Sequence, residues 1–228
     1  MNNELSTMNF LDFIFPKRCV SCGDIGSYIC DRCRKRIIFV EHPVCPVCQR
    51  QAVGGKTHPG CMTKYGLDGL IVGFGYLGPI KLGIKKIKYK WVWDIADVIV
   101  DLFSATLWKF HIPDDFVLVP VPLHVRRRRW RGFNQAELIC QLMAKKFGVE
   151  WKNLLARKLE TKTQVGLTRQ ERKNNIRGAF EVCGSVDRGK TYILVDDVFT
   201  TGATMAEACK MLKKAGAKNV WGLVIALG

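Results

Sequence analysis

The stretch YILVDDVFTTGAT, residues 192–204, limits the possible folds of this chain more than any other part of its sequence. Four apolar residues run into two adjacent acids, and a turn with three threonines and a glycine follows. A short apolar run of this kind is typical of a strand that is buried on both faces in a parallel sheet. The overlapping segment TMAEACKMLKKAG has helical periodicity, so the sequence predicts a strand, a tight turn and a helix.

The chain from residue 66 onward repeats this alternation. Apolar runs predict further strands at LIVGFGYL, FVLVPVP, GAFEV and VWGLVIA. Helical periodicity is found in WDIADVIVDLFSATLWKF and NQAELICQLMAKKFG. Strands that alternate with helices are typical of βαβ units, so we predict an α/β domain with a doubly wound parallel sheet over residues 66–228. We expect a smaller, separate module over residues 1–65.

The two acids and the turn after them indicate a ligand site. Ligands of doubly wound sheets bind at the carboxyl ends of the strands, and the acids follow the strand directly. Backbone amides and hydroxyls at a helix N-terminus bind phosphate, whereas carboxylates at its rim suit the hydroxyls of a sugar. The expected ligand is therefore a ribose 5-phosphate. The candidate binding residues are Asp196, Asp197, Thr200, Thr201, Gly202, Ala203 and Thr204.

The cysteines of the N-terminal module are spaced as metal ligands. Three Cys-x-x-Cys pairs and one His-x-x-Cys pair each allow two ligands to bind one metal, and two pairs complete a tetrahedral zinc site. The candidate ligands are Cys19, Cys22, Cys30, Cys33, Cys45, Cys48, His58 and Cys61. We expect one or two structural zinc ions, with the pairs joined in sequential order, although an interleaved order fits the spacing as well. His58 could instead be a surface residue that leaves the second site incomplete.

The other three cysteines, Cys140, Cys183 and Cys209, stand singly in apolar surroundings, and we expect them in the core.

The stretch at residues 192–204 resembles the 5-phosphoribosyl 1-pyrophosphate (PRPP) signature of type I phosphoribosyltransferases. Two further stretches, VPVPLHVRRRRWRGFNQAELI and TQVGLTRQERKNNIRGAF, resemble the paired signatures of the ComF/GntX family, which is named for bacterial DNA-uptake competence. That family also has a zinc ribbon of paired Cys-x-x-Cys knuckles at its N-terminus. The resemblance spans nearly the whole chain and departs from the family at His58, where the family usually has cysteine.

This resemblance implies a type I phosphoribosyltransferase fold and assigns roles within it. Asp196 and Asp197 would be the catalytic pair that holds the ribose 2- and 3-hydroxyls, residues 200–204 would surround the 5-phosphate, and Mg²⁺ would bridge pyrophosphate and ribose. The segment with Gln164, Leu167, Arg169, Arg172 and Asn175 would be a mobile flap over PRPP, with a plain surface loop as the alternative.

The arginine-rich run RRRRWR follows the strand end that contributes the pyrophosphate loop in this architecture. One guanidinium group can bind two phosphate oxygens at once, and we assign Arg126, Arg127 and Arg131 to the binding of PRPP. The surplus groups could bind single-stranded DNA through its backbone, with a tryptophan that stacks on a base. A solvated basic turn is the alternative. The nucleic-acid candidates here are Arg128, Arg129 and Trp130.

A formal net charge of +16 favours a polyanionic partner. Lys85, Lys86 and Lys88 stand among aromatic and aliphatic residues and are further nucleic-acid candidates, although this pattern is also typical of an amphipathic helix that packs on a sheet. No stretch approaches the ~20 apolar residues of a membrane span, and we expect a cytoplasmic protein.

Two hypotheses follow from the sequence: a phosphoribosyltransferase with an unidentified acceptor, or a single-stranded DNA-binding competence factor in which the PRPP site is sensory or vestigial. A phosphoribosyltransferase of nucleotide salvage without any role in DNA uptake is a further alternative. A competence helicase or recombination protein is a possible partner.

Overall fold

The computed structural model describes residues 16–90, 93–158, 171 and 175–228. The flap residues Gln164, Leu167, Arg169 and Arg172 lie outside this part of the chain. The helices are α1 (Asp31–Arg34), α2 (Gly78–Lys90), α3 (Asp94–Ser104), α4 (Val125–Arg131), α5 (Gln135–Phe147) and α6 (Ala203–Lys214). The strands are β1 (Gly69–Gly75), β2 (Phe116–Pro120), β3 (Glu150–Trp151), β4 (Leu155–Arg157), β5 (Phe180–Val182), β6 (Thr191–Phe199) and β7 (Asn219–Leu227).

Five strands form one parallel sheet in the order β1-β7-β6-β2-β3. Helices α2, α3 and α5 pack on one face, where they bury Ile193 and Val195 of β6. Helix α6 packs on the other face and buries Leu194 of the same strand. Because successive side chains of a strand point to opposite faces, one apolar run serves both layers. The structure thus confirms the doubly wound parallel sheet.

Two local predictions need correction. The predicted strand GAFEV is β5, but it pairs antiparallel with β4 in a separate two-stranded sheet, and sequence patterning did not reveal the short strand β4. Cys183 at the end of β5 is exposed, whereas Cys140 and Cys209 are buried as expected. A three-residue strand is too short for its periodicity to show which of its residues face the core.

The basic segment before α3 is an amphipathic helix. Its residues Ile80, Ile84 and Ile87 are buried against the sheet, because their spacing places them on one face of α2. Within the described residues, α2 and the other helices are all too short or too polar to cross a lipid bilayer.

The N-terminal module straddles the β1 edge of the sheet. Residues 38–40 run antiparallel to β1, where Val40 N donates to Gly73 O at 2.9 Å and Gly75 N donates to Ile38 O at 2.9 Å. Cys33, before this crossing point, belongs to the apolar core on the α3 face, whereas Val44, after it, packs against the core on the α6 face. The two halves of the module therefore cover opposite faces of the sheet.

Candidate functional site

An open cleft of about 500 Å³ lies at the carboxyl ends of β2 and β6. It is the place where a doubly wound sheet binds ligands. The two acids of β6 and the turn that follows them line it, as do five basic residues from three different parts of the chain. These basic residues are Lys85, Lys88, Arg127, Arg131 and Arg157.

The phosphate loop, residues 200–204, joins β6 to the N-terminus of α6. Gly202 has a φ of 70°, and a Cβ atom there would come within 2.4 Å of the Phe199 ring, so this turn requires glycine. The Thr201 hydroxyl accepts a hydrogen bond from Ala203 N at 3.4 Å. All five loop residues line the cleft, which places the start of a twelve-residue helix at its wall, where a phosphate group would meet the helix N-terminus.

The two acids do not mark the end of the strand, as the sequence suggested, because β6 continues to Phe199. Within a strand their side chains point to opposite faces of the sheet. Asp197 is only 8% exposed and belongs to the α2 face, whereas Asp196 is less buried and lies near Arg157. An Asp196 carboxylate oxygen also accepts a hydrogen bond from Asp197 N at 2.8 Å.

Lys88 forms a salt bridge with Asp197, with Nζ 2.5 Å from Oδ2. Burial lowers the pKa of the Lys88 ammonium, but the charge and hydrogen bond of Asp197 together with the charge of Asp196 hold that pKa above its usual value. The sequence made Lys88 a nucleic-acid candidate. The structure instead places its ammonium inside the cleft, where it neutralises one of the two acids.

The pKa of Asp196 is raised to about 7, mainly because the carboxyl is buried and in part because of the negative charge of Asp197. The Asp197 amide, Lys88 and Arg157 act in the opposite direction. Asp196 therefore changes its charge near neutral pH, in a site where the protonation of a carboxylate decides whether it can bind a cation.

The cleft concentrates positive charge. The pKa of Arg157 is lowered to about 10, mainly because the guanidinium is buried and in part because of the positive charge of Arg127. Arg131 Nη1 donates to Gln135 Oε1 at 3.1 Å, which holds its guanidinium at the start of α5. Arg157 could not be recognised from the sequence, because it stands outside the arginine-rich run, on a short strand that pairs with β5.

The arginine-rich run divides between two surfaces, because it forms helix α4. Arg127 and Arg131 are partly buried and line the cleft, whereas the other members of the run are exposed and do not line it. The exposed members are Arg126, Arg128, Arg129 and Trp130. Arg128 pairs with Glu137 at 3.2 Å, and Trp130 is 69% exposed. Arg126 was assigned to PRPP from sequence, but its position fits the outer surface. Among the lysine candidates, Lys85 lines the cleft and Lys86 does not.

The N-terminal module brings its eight candidate ligands together in two sets. Within each set, the ligand atoms lie within 4.8 Å of one another. The sets are Cys19, Cys22, Cys30 and Cys33, and Cys45, Cys48, His58 and Cys61. The sequential pairing is therefore the one that the structure adopts, and His58 completes the second set. Both sets suit tetrahedral structural zinc, one with four thiolates and one with three thiolates and an imidazole.

The orientation of His58 fits a metal ligand. Its Nε2 donates to the carbonyl oxygen of Gln51 at 2.9 Å, so Nε2 carries the hydrogen. Nδ1 is then the nitrogen with a free electron pair, and it lies 3.3 Å from Cys48 Sγ, within the ligand set. A backbone carbonyl that fixes the tautomer in this way is a common second contact of metal-bound histidines.

Two family models match separate parts of the chain. The double zinc ribbon domain matches residues 10–62, and the phosphoribosyl transferase domain matches residues 141–226. The chain is 30% identical to Competence protein F of Haemophilus influenzae over 95% of this chain and 98% of that protein. It belongs to the ComF/GntX family.

Two other relatives extend this comparison. DNA utilization protein YhgH of Escherichia coli K12 is 31% identical over 86% of this chain and 89% of its own length. Competence protein ComFC of Bacillus subtilis is 27% identical over 82% of this chain and 79% of its own length. The architecture of this ComF/GntX family member is thus a double zinc ribbon followed by a type I phosphoribosyltransferase fold.

Proposed function

We propose that this chain binds PRPP with Mg²⁺ in the cleft and acts in DNA uptake. One observation carries the binding part of the proposal: two carboxylates, a hydroxyl-rich loop at a helix N-terminus and five cationic side chains line one cleft. Few ligands besides a phosphorylated sugar with a second polyphosphate group would use all three features.

Each part of PRPP has a matching part of the cleft. The amides and hydroxyls of the phosphate loop would bind the 5-phosphate. Arg127, Arg131 and Arg157 would bind the pyrophosphate, since all three line the cleft and guanidinium groups pair with phosphate oxygens. Asp196 would bind the ribose hydroxyls or the hydrated Mg²⁺, for which carboxylate oxygens are suitable ligands.

The reaction that such a site supports is phosphoribosyl transfer. A nucleophilic acceptor attacks C1 of the ribosyl ring, a bond forms between them with inversion, and the bond from C1 to the pyrophosphate oxygen breaks so that pyrophosphate leaves with the electron pair. The protein would contribute orientation and charge stabilisation and no covalent intermediate.

The role in DNA uptake rests on the relatives, which are named as competence and DNA utilization proteins. A second function, binding of single-stranded DNA, is favoured by the outer surface of α4. Arg126, Arg129 and Trp130 are exposed there, outside the cleft. Guanidinium groups for the backbone and an aromatic ring for a base are the usual means of binding single strands.

Calorimetric titration of PRPP with Mg²⁺ tests the first proposal. We expect micromolar affinity in the wild type and none in an Asp196→Asn, Asp197→Asn double variant. A matched control replaces two exposed acids away from the cleft, Asp101→Asn with Asp115→Asn, and should bind as the wild type does. No binding by a folded, zinc-loaded wild type would refute the proposal.

Fluorescence anisotropy with a labelled oligodeoxythymidylate tests the second. We expect affinity that falls steeply with salt, and an Arg126→Ala, Arg129→Ala variant should reduce the slope of log K against log salt by about 1.4, since each phosphate contact on a single strand contributes ~0.7. A control variant with Lys145→Ala and Lys146→Ala on α5 removes equal charge elsewhere. An equal effect of both variants would show that α4 is not the binding surface.

A further inference from the structure

The second zinc site lies beside the phosphate loop. A cavity of about 650 Å³ separates the N-terminal module from the start of α6. Pro46, Val47 and Cys61 of the second site form one wall, and loop residues Thr201 and Gly202 form the other. All four ligands of the first zinc site are absent from the described lining of this cavity. The second site alone is therefore placed to affect the phosphate loop.

The two zinc sites differ at one backbone position. In the first site the residue after Cys22 is Gly23, with a φ of 82°. In the second site the residue after Cys48 is Gln49, with a φ of 58°, and among the described residues it is the one non-glycine residue with positive φ. A left-handed backbone favours glycine, because a Cβ atom is crowded there. The fold therefore retains a side chain at a position where glycine would fit better.

The Gln49 side chain contacts the phosphate loop. Its Nε2 donates to the carbonyl oxygen of Thr200 at 3.5 Å, at the long end of the hydrogen-bond range. The backbone of Gln49 is fixed in turn, because its N–H donates to Cys45 O at 2.9 Å within the zinc knuckle. The Thr200 carbonyl belongs to the same peptide unit as the Thr201 N–H, so a contact to this carbonyl orients that N–H.

We infer that Gln49 is a positioning residue for the phosphate loop and that the second zinc ion, by fixing the knuckle, fixes Gln49. The inference rests on the proposed binding of PRPP. Gln49 holds the first peptide of the loop in the orientation that presents its amides to the 5-phosphate. Zinc at the second site and PRPP in the cleft are then coupled, and each increases the affinity of the other. Zinc at the first site has no such coupling.

The test compares Gln49→Gly with the wild type by PRPP calorimetry, zinc analysis and thermal melting. Glycine relieves the left-handed strain, so we expect two zinc ions per chain and an equal or higher melting temperature. The same variant should weaken PRPP binding about threefold to tenfold, the effect of one lost hydrogen bond. Val47→Ala in the same knuckle is the matched control. It should leave the affinity for PRPP unchanged, since the Val47 side chain is exposed and has no polar atom that could hold the loop.

Hydrogen exchange separates the failure of this inference from the failure of the proposed function. In the ligand-free protein, Gln49→Gly should accelerate exchange at the amides of Thr201, Gly202 and Ala203. If the wild type binds PRPP and Gln49→Gly matches it in both affinity and exchange, the inference is wrong and the proposed function stands. If the wild type does not bind PRPP but Gln49→Gly accelerates exchange, the proposed function fails and only the positioning contact remains. A fall in melting temperature or zinc content would show that Gln49 serves the knuckle itself, and would overturn the inference.

Discussion

The two zinc sites of this protein have nearly the same ligands but different neighbours. The first packs Cys19 and Cys33, each 1% exposed, into the apolar core on the face of the sheet covered by α2, α3 and α5, while its Cys22 is exposed. The second lies on the opposite face, where it shares a cavity with the phosphate loop. The first site therefore supports the fold, whereas the second can support both the fold and the ligand site. We therefore expect two sites with similar ligands to differ in function according to the surface that each contacts.

Removal of one zinc ligand from each site should give the largest effects and tests this comparison directly. Cys33→Ser and Cys45→Ser should each lose one zinc ion, since both thiols are buried within their sets. A structural zinc site contributes about 10 kcal/mol or more to folding, so each ribbon should unfold locally. Zinc analysis and circular dichroism measure this.

The same two variants should differ in their affinity for PRPP. We expect Cys45→Ser to lose most of its binding and Cys33→Ser to retain more, because Gln49 of the second knuckle contacts the phosphate loop, whereas no ligand of the first site is among the described residues that line the shared cavity. Equal losses of affinity would contradict the functional difference between the sites.

Lys88→Met should have the next largest effect on stability. It tests whether the cleft can be destabilised while the zinc sites stay intact. It leaves the Asp197 carboxylate buried without its ammonium partner, which should lower the free energy of unfolding by about 3 kcal/mol. Urea denaturation measures the change. Because the pKa of Lys88 is raised in the folded state, this contribution is present at neutral pH and is lost only as the pH rises through that raised pKa.

Two variants serve as controls for this prediction. Lys86→Met on the same helix lies outside the cleft lining and should change stability little. A Lys88→Met, Asp197→Asn double variant should recover part of the loss, because it removes the unpaired charge. All these variants should retain two zinc ions per chain. A loss of zinc in Lys88→Met would show that the stability of the zinc sites depends on the salt bridge in the cleft.

The pH dependence of PRPP binding gives a smaller effect that is confined to the cleft. Asp196 has a pKa of about 7 in the folded protein, so its ionised fraction rises about tenfold between pH 6 and 8. If binding uses the carboxylate, the affinity should rise by up to that factor, and Asp196→Asn should flatten the profile. Calorimetry across this range measures it, and an equally steep profile in Asp196→Asn would assign the dependence to another group.

Ionisation of Asp196, which should favour PRPP binding, should lower the stability of the folded state. The folded pKa of Asp196 lies above its ordinary value of 3.8, so the ionised form is disfavoured in the folded state. Its contribution to stability therefore falls as the pH rises from about 4 to about 7. This loss should be absent in Asp196→Asn.

Tyr28→Phe should give the smallest effect and probes the first zinc site. The Tyr28 hydroxyl donates to Asp94 Oδ2 at 3.2 Å and joins the module to α3. Its removal should cost about 0.5–1 kcal/mol in thermal or urea unfolding, the usual contribution of one hydrogen bond. The affinity for PRPP should not change, and a substantial loss of affinity would show that the first site also influences the cleft.

Much of this structure could be predicted from residues that are close together in the chain. The zinc ligands could be identified from their spacing because a Cys-x-x-Cys turn brings two thiolates together by local geometry. Helix α5 could be identified in the same way. Asn134 caps it by accepting a hydrogen bond from Ala136 N at 3.2 Å, and Gly148 ends it with a φ of 65°.

The sequence by itself determined which residues can serve as zinc ligands, the alternation of strands and helices, and the position of the phosphate loop after β6. Only the tertiary structure decided the pairing of the cysteine knuckles, the salt bridge between Lys88 and Asp197, the entry of Arg157 into the cleft and the contact of Gln49 with Thr200. The physical reason is that each of these arrangements joins separate segments of the chain. Local patterns specify which side chains a segment presents, but the order of strands in the sheet specifies which segments meet.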